Sequence, residues 1–475
     1  MHYLHGLWHG LPIIPATVGL LGLFAVLNVV GITESAVVAL GIFIAHMLTL
    51  TVLCLSCGWV VAQDPSLLIE NLTTPPRLGF GPALFFGFAS AMLGISGFES
   101  SANFIEEQGP GVFPKTLRNM WIAVAIFNPL ISLLAFGLLP LNALETDNPM
   151  NDLLAQMGGI AVGPSLSTVV AIDAVLVLSG AVLTSYVGVT GLVRRMALDR
   201  CLPQFLLAEN EWRHTNHWII FGFFGICCSI LAVTEGDVEV LAGVYIFSFL
   251  SVMALFATGN LLLKGSRGKL PRDTRASWPA VVIALGAVLL GLIGNLIMDI
   301  RPFIVFLTYL AIAGAIVGVM FLRVELLRLG LFVVGSVSEQ TNQLNEWVRT
   351  SVRTMVHDIN KQAAVYFTKG DDPAELNRAA LYVLQNEQTN RLTVVHVYDD
   401  EGDIPPHLAD HLRQIDRQYP ALRIDLLVVK GEFGPDLIEA LSERLDVPKN
   451  YMFLGTPGDR FPHRLETLGG VRLIL

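Results

Sequence analysis

"GISGFESSANFIEEQGPG", residues 94–111, closes a long apolar run and holds residues that a helix in lipid has no use for. Gly94, Ser96 and Gly97 cluster where the helix should be most regular, Glu99 and two serines follow, and a Glu106–Glu107 pair comes next. Each glycine weakens a helix by about 1 kcal/mol relative to alanine. Two within four residues let the backbone leave the helical path. Backbone opened at membrane depth must line a cavity or touch protein, and opened N–H and C=O groups with half-helix ends can hold a charged small molecule. Small residues at this spacing also let two helices approach closely, so packing and an opened backbone both fit it. Glu99 adds weight to a site, because an ionisable group inside a span is costly; the plain alternative is that it lies near the cytoplasmic end and reaches water.

The surroundings of this stretch are those of a membrane protein. Of 475 residues 53% are hydrophobic and 15% charged, and mean hydropathy is +0.60, a composition of lipid-embedded chains. Charge is uneven: residues 1–337 hold 34 Asp, Glu, Lys and Arg, and residues 338–475 hold 36. A membrane part is therefore followed by a soluble part of domain size. The net charge of −10 gives no footprint for nucleic acid. Five cysteines, including Cys54-x-x-Cys57 and Cys227–Cys228 in apolar runs, read as buried inert thiols. The start, "MHYLHGLWHG", lacks the basic region of a signal peptide.

A bilayer crossing needs about 20 apolar residues. Nine segments qualify, near 12–32, 35–61, 80–104, 119–141, 166–192, 217–234, 238–263, 278–299 and 302–323. Helix is the expected form, since no segment alternates as a barrel strand does. Alternate loops carry Lys115 and Arg118, then Arg194, Arg195, Arg200 and Arg213, then Lys264, Arg267, Lys269, Arg272 and Arg275, whereas the opposite loops carry Arg77 and Arg301. Basic loops stay on the cytoplasmic side. The C-terminal part is thus expected in the cytoplasm of a multi-pass cell-membrane protein, with the N-terminus outside.

With these residues in view the chain is recognisable. "FFGFASAMLGISGFESSANFIEEQGPGVFPKTLRNMWIAV" resembles the sixth helix and following loop of amino acid–polyamine–organocation (APC) superfamily permeases. There a G-[FYV]-E stands at a broken helix, followed by E-E and a Pro-Lys run. "VRRMALDRCLPQFLLAEN" resembles the cytoplasmic segment after the eighth helix, and "LNVVGITESAVVALGIF" the turn from the fourth to the fifth. The resemblance covers about residues 12–325. It implies a transporter fold of two inverted repeats, and it places Gly94, Ile95, Ser96, Gly97 and Phe98 in the unwound segment that touches substrate through main-chain atoms, with Phe98 near the gate. It also implies that these spans match the fourth to twelfth helices. The first three, and the partner break in the first, would then be missing before residue 12, which would leave residues 1–475 inactive alone.

Further polar groups lie within spans. His46 stands in "FIAHMLTL", where hydrogen-bonded packing or proton carriage are the two readings. Asp173, with Ser179 beyond it, and Glu99 are the candidates for substrate or ion coupling; an unpaired aspartate there costs about 2.5–3.5 kcal/mol. Asn128–Pro129 predicts a kink. Tyr245, Ser248 and Ser251 could line a polar face or bond to a neighbouring helix.

Residues 326–362 read as linker and amphipathic helix, with Leu344, Trp347, Val348, Val352, Met355 and Ile359 at helical spacing. From 363 to 475 strand and helix alternate: "AAVYFTK", "DPAELNRAALYVLQNEQ", "LTVVHVY", "PPHLADHLRQIDRQ" opened by prolines, "LRIDLLVVKG", "FGPDLIEALSERL", "NYMFLGT" and "VRLIL". That order predicts an α/β domain with a mainly parallel sheet. It resembles the universal stress protein fold, whose nucleotide-binding members use G-x2-G-x9-G-[ST]. Gly455 and Gly458 fit, but Gly469 comes one position late and Gly470 replaces Ser or Thr, so little or no ATP binding is expected. His407 and His411 read as a solvated helix face.

The expectation is a polytopic α-helical transporter with about nine spans in residues 1–325 and a cytoplasmic α/β domain. Its partners are lipid and a small substrate, an amino acid or related organic cation with proton coupling, and it needs no cofactor. The rivals are a potassium importer of the same superfamily and a membrane-anchored sensor. No nucleophile–base pair, metal-ligand cluster or phosphate-binding loop suggests an enzyme.

Overall fold

Apolar runs this long leave the backbone no partner but itself, and each expected span folds as helix. The computed structural model describes all residues except 9, 32–35, 104–107, 110, 142–151, 200, 267–275, 338–362, 388, 456–467, 469–470 and 475. Two compact units are present, one built mainly from residues 1–314, the other holding residues 315–475.

The first unit contains α1 (Ile13–Val29), α2 (Ala36–Gln63), α3 (Phe80–Ala91), α4 (Phe98–Asn103), α5 (Val112–Leu138), α6 (Leu153–Ala161), α7 (Pro164–Leu198), α8 (His217–Val233), α9 (Val238–Ser266) and α10 (Trp278–Met298), and α11 (Arg301–Val337) begins in it. Among the described residues six helices, α2, α5, α7, α9, α10 and α11, are long and apolar enough to cross a membrane. The other three expected spans are shorter apolar helices, at Ile13–Val29, Phe80–Ile95 and His217–Val233. Each ends at an identifiable interruption: α1 at Gly31 and α8 at Gly236, both with positive φ, and the third at the glycine cluster. Large apolar side chains such as Val37, Phe43, Leu48, Leu55 and Trp59 along α2 are exposed, which suits lipid and not water.

Close helix contacts are made where side chains vanish. A Cβ on Gly137 of α5 would meet Val61 Cγ2 at 2.6 Å, and one on Gly294 of α10 would meet the Ala89 Cβ of α3 at 2.5 Å. Around the first contact Leu53, Cys57, Leu134, Met157, Leu166 and Val170 join α2, α5, α6 and α7 in one buried cluster. Tyr186 of α7 is fully buried against α1 and α8 and donates to Leu21 O at 3.0 Å. Cys54 and Cys57 are buried free thiols, but Cys201, Cys227 and Cys228 are only half-buried; apolar surroundings in sequence do not ensure a position inside the bundle. Pro129 lies within α5.

The second unit holds a five-stranded sheet: β1 (Ala364–Thr368), β2 (Arg391–Tyr398), β3 (Arg423–Lys430), β4 (Met452–Gly455) and β5 (Arg472–Ile474), in the order β3-β2-β1-β4-β5, all neighbours parallel. Among the described residues three α-helices lie between them, α12 (Pro373–Asn386), α13 (Leu408–Gln418) and α14 (Pro435–Leu445). Because strand side chains alternate, Ala364, Tyr366, Val394 and Phe453 pack with α12 and α13, while Val365, Phe367, Met452 and Leu454 pack with α14. Asp372 caps α12 by accepting from Ala374 N, and Pro373 and Pro435 occupy first turns, as proline suits a position whose N–H is unpaired.

Three expectations need adjusting. α13 starts at Leu408, so Pro405 and Pro406 lie before it and do not open it; a residue ahead of proline is pushed out of helical geometry. His407 therefore precedes the helix, and His411 is no solvated face, since its Nδ1 is 2.7 Å from Asp371 O. α11 continues through Val337, into the stretch read as linker; Leu344 to Ile359 fall outside the described residues.

Candidate functional site

Ala91 is the last α-helical residue before residue 94, Met92–Ile95 tighten into a 3-10 turn, and α4 begins at Phe98. Between them Ser96 is extended (φ −70°, ψ 161°) and Gly97 takes φ +100°. A left-handed φ is routine only for glycine, and this is where the helical path is lost. A Cβ on Gly97 would find only Met120 Cε, at 3.9 Å, so conformation, not space, requires the glycine.

Side chains from other helices hold the interruption open. Asn128 Nδ2 of α5 donates to Gly94 O at 2.9 Å. A Cβ on Gly94 would lie 2.7 Å from that same nitrogen. Gly94 thus serves both a close approach to α5 and the break. Glu99 uses both carboxylate oxygens: Oε2 accepts from Gly97 N at 2.8 Å, and Oε1 accepts from the Tyr245 hydroxyl of α9 at 3.0 Å. Ser96 is a further hydrogen-bonding neighbour of Tyr245, and Ser248 instead bonds within α9, to Val244 O. Ser96 N donates back to Leu93 O. Gly94, Ile95, Ser96, Gly97, Phe98 and Glu99 therefore form one locus, whose donors are partly used by the protein. The Glu106–Glu107 pair lies outside the described residues.

Asp173 is elsewhere. It is buried on α7, and its Oδ2 is 2.8 Å from His46 Nδ1 of α2, 127 positions away. The sequence presents these two as separate candidates; a pairing between distant helices leaves no periodic signal. Ser179 is on α7 six residues beyond Asp173, about 9 Å along the axis.

In the second unit Gly455 ends β4, and the volume beside it is occupied by the Glu375 carboxylate of α12 and the Tyr366 hydroxyl of β1. Tyr366 donates to Glu375 Oε1 at 2.7 Å. Burial, and then that carboxylate, push the Tyr366 phenol above its ordinary range. Gly458, Gly469 and Gly470 lie outside the described residues. Among the described residues no group of three or more His, Cys, Asp and Glu is placed to hold a metal.

Comparison with known proteins adds one family. Its model, described as amino acid permease, matches residues 11–327. No curated protein matches the chain.

Proposed function

The chain belongs to the amino acid permease family, so it is a multi-pass membrane transporter of the APC type rather than an enzyme, and from that premise we propose a proton-coupled secondary transporter of amino acids or related small organic cations. The observation that carries the substrate class is the interruption at Gly94–Phe98. The half-helix Phe80–Ile95 ends there with its carbonyls, the negative end of its dipole, and the Glu99 carboxylate stands beside it with Gly97 N–H already bound. Such a place favours an ammonium group, which every amino acid and organic amine carries. The natural gene expressed whole in cells otherwise lacking it tests this, with labelled amino acids, polyamines and rubidium as a stand-in for potassium. Saturable uptake of an amino acid or amine that rises with outward-to-inward acidification is the expected result. Uptake of rubidium alone would favour the potassium reading and sink this one.

Within the same proposal residues 363–475 form a cytoplasmic domain like the universal stress proteins. The support is the strand order β3-β2-β1-β4-β5 with helices on both faces and the excess of Lys and Arg in alternate loops. Nucleotide is expected to bind weakly, because the first motif glycine faces a carboxylate, and a phosphate brought beside Glu375 meets like charge. Titration calorimetry of the whole protein with magnesium ATP should give a dissociation constant weaker than about 1 mM. Micromolar affinity would show that the glycine segment works despite Glu375.

A further inference from the structure

We propose that His46 and Asp173 form a proton-binding pair within the membrane part, whose loading and unloading couples a proton gradient to substrate movement; this deepens the transport reading above and rests on it. The pair joins α2 to α7 through Nδ1 and Oδ2 at 2.8 Å, with side-chain exposures of 28% and 10%. His46 stands ten residues into α2 and Asp173 nine residues into α7, each more than two turns from the start of its helix.

If the pair only fastened two helices, uncharged partners would serve. Ser, Thr, Asn and Gln bond across membrane helices without an ionisable group, and elsewhere in this unit Asn128 and Asn295 do so, donating to Gly94 O and Ala89 O of a neighbouring segment. Here two titratable groups stand together instead. Among the described residues the helices packed around the pair add no other charge at this level. α2 has no Asp, Glu, Lys or Arg, only the thiols Cys54 and Cys57 farther along, and α6 has no titratable group. Lys115 and Arg118 lie in the first two turns of α5, and Arg194 and Arg195 at the far end of α7, past Tyr186. α1 carries none, and α8 carries His217 in its first turn with Cys227 and Cys228. The short segments packed on this bundle bring the amino terminus, His2, Tyr3, His5, Glu70 and Asp152, of which His2 interacts with the amino terminus, His5 and Asp152, and Tyr3 with Asp152.

The bookkeeping of charge is simple. With neutral imidazole donating Nδ1–H to the carboxylate, the pair carries one net negative charge. A hydronium ion gives one proton to Nε2 and leaves as water, and the pair becomes imidazolium and carboxylate with no net charge. A water molecule on the opposite side removes that proton in the return step. Histidine is the side chain whose ordinary titration spans pH 5–8, the range in which proton gradients operate. Because the two groups sit on different helices, each change of charge alters the attraction between α2 and α7.

The test compares wild type, Asp173→Asn and His46→Gln in lipid vesicles by infrared difference spectra between about pH 5 and pH 8. An imidazolium band coupled to a shift of the still-ionised carboxylate stretch is expected in wild type, and this coupled signal should be absent from both variants, since each has lost one of the two groups. In whole cells with a labelled amino acid panel, Asp173→Asn should lower acid-driven accumulation at least about tenfold and exchange at equal pH much less. Bands unchanged in either variant, or acid-driven accumulation by Asp173→Asn equal to wild type, overturn the proposal. If wild type takes up nothing from the panel but the shared bands are present, the substrate reading fails and proton binding by the pair stands. If Asp173→Asn does not reach the membrane, His46→Gln carries both measurements.

Discussion

Replacing Gly97 by leucine is expected to abolish uptake while the protein still reaches the membrane in normal amount. Gly97 holds φ +100°, which costs an L-residue about 1–2 kcal/mol. Its would-be Cβ has room, with Met120 Cε at 3.9 Å, so the variant resolves the strain by turning the backbone towards helical φ. That turn withdraws Gly97 N–H from Glu99, and with it the carboxylate that Tyr245 also holds. Gly87 provides the control. It is helical, in the same apolar run, and nothing lies within 4 Å of a Cβ there. Gly87→Leu should therefore transport within about twofold of wild type, a difference of less than about 0.5 kcal/mol. Equal uptake by the two variants, with matched membrane levels, would remove the substrate role of the break.

A comparably large effect, on stability this time, is expected from Phe453→Ala. Phe453 is fully buried in β4, edge-on to Tyr382 with ring centroids 5.6 Å apart and 4.7 Å beneath the Arg472 guanidinium. Truncating such a ring costs about 3–5 kcal/mol, a large part of what a domain this size possesses. Heating followed by brief proteolysis should release fragments of residues 363–475 at a clearly lower temperature than in wild type. The protease-resistant membrane fragment should persist to the same temperature in both. Loss of both parts together would mean that residues 1–325 and 363–475 do not fold as separate domains.

How much of this can be read without coordinates depends on the kind of signal. Helical spans are legible because hydrophobicity acts locally over about 20 residues, and the interruption at residues 94–98 is legible because glycine propensity acts locally too. The strands are legible as short runs rich in apolar and β-branched residues, because a parallel sheet covered on both faces buries successive side chains, as in β1, where Val365 and Tyr366 go to opposite layers. Side-chain pairs are another matter. Asn128 with Gly94, Tyr245 with Glu99 and His46 with Asp173 lie 34, 146 and 127 positions apart, and no period or composition joins them. Helix ends fail for a related reason: Arg323, Glu325 and Arg328 mark where the apolar run of α11 stops, but Val324–Val337 has no proline and keeps leucine and valine in every turn, so nothing local ends the helix there.

The close fit of α3 to α10 has a mechanical consequence. Gly294 lies directly against Ala89, Asn295 Nδ2 donates to Ala89 O at 2.9 Å, and a Cβ on Gly291 would meet Met92 Cγ at 3.0 Å. These leave no slack, so Phe80–Met92 and α10 swing as one lever. The other half, α4, is moored to α5 through Ser101 and Met120 and to α9 through Glu99 and Tyr245. Ser96 and Gly97 are the two backbone positions between the moorings. Leu250 of α9 also closes on Gly291, and Asn128 of α5 holds Gly94 O, so α5, α9 and α10 all bear on the interruption. A displacement of one half-helix relative to the other falls on the four torsions of Ser96 and Gly97, which makes the pair a hinge that anything gripped there must turn with.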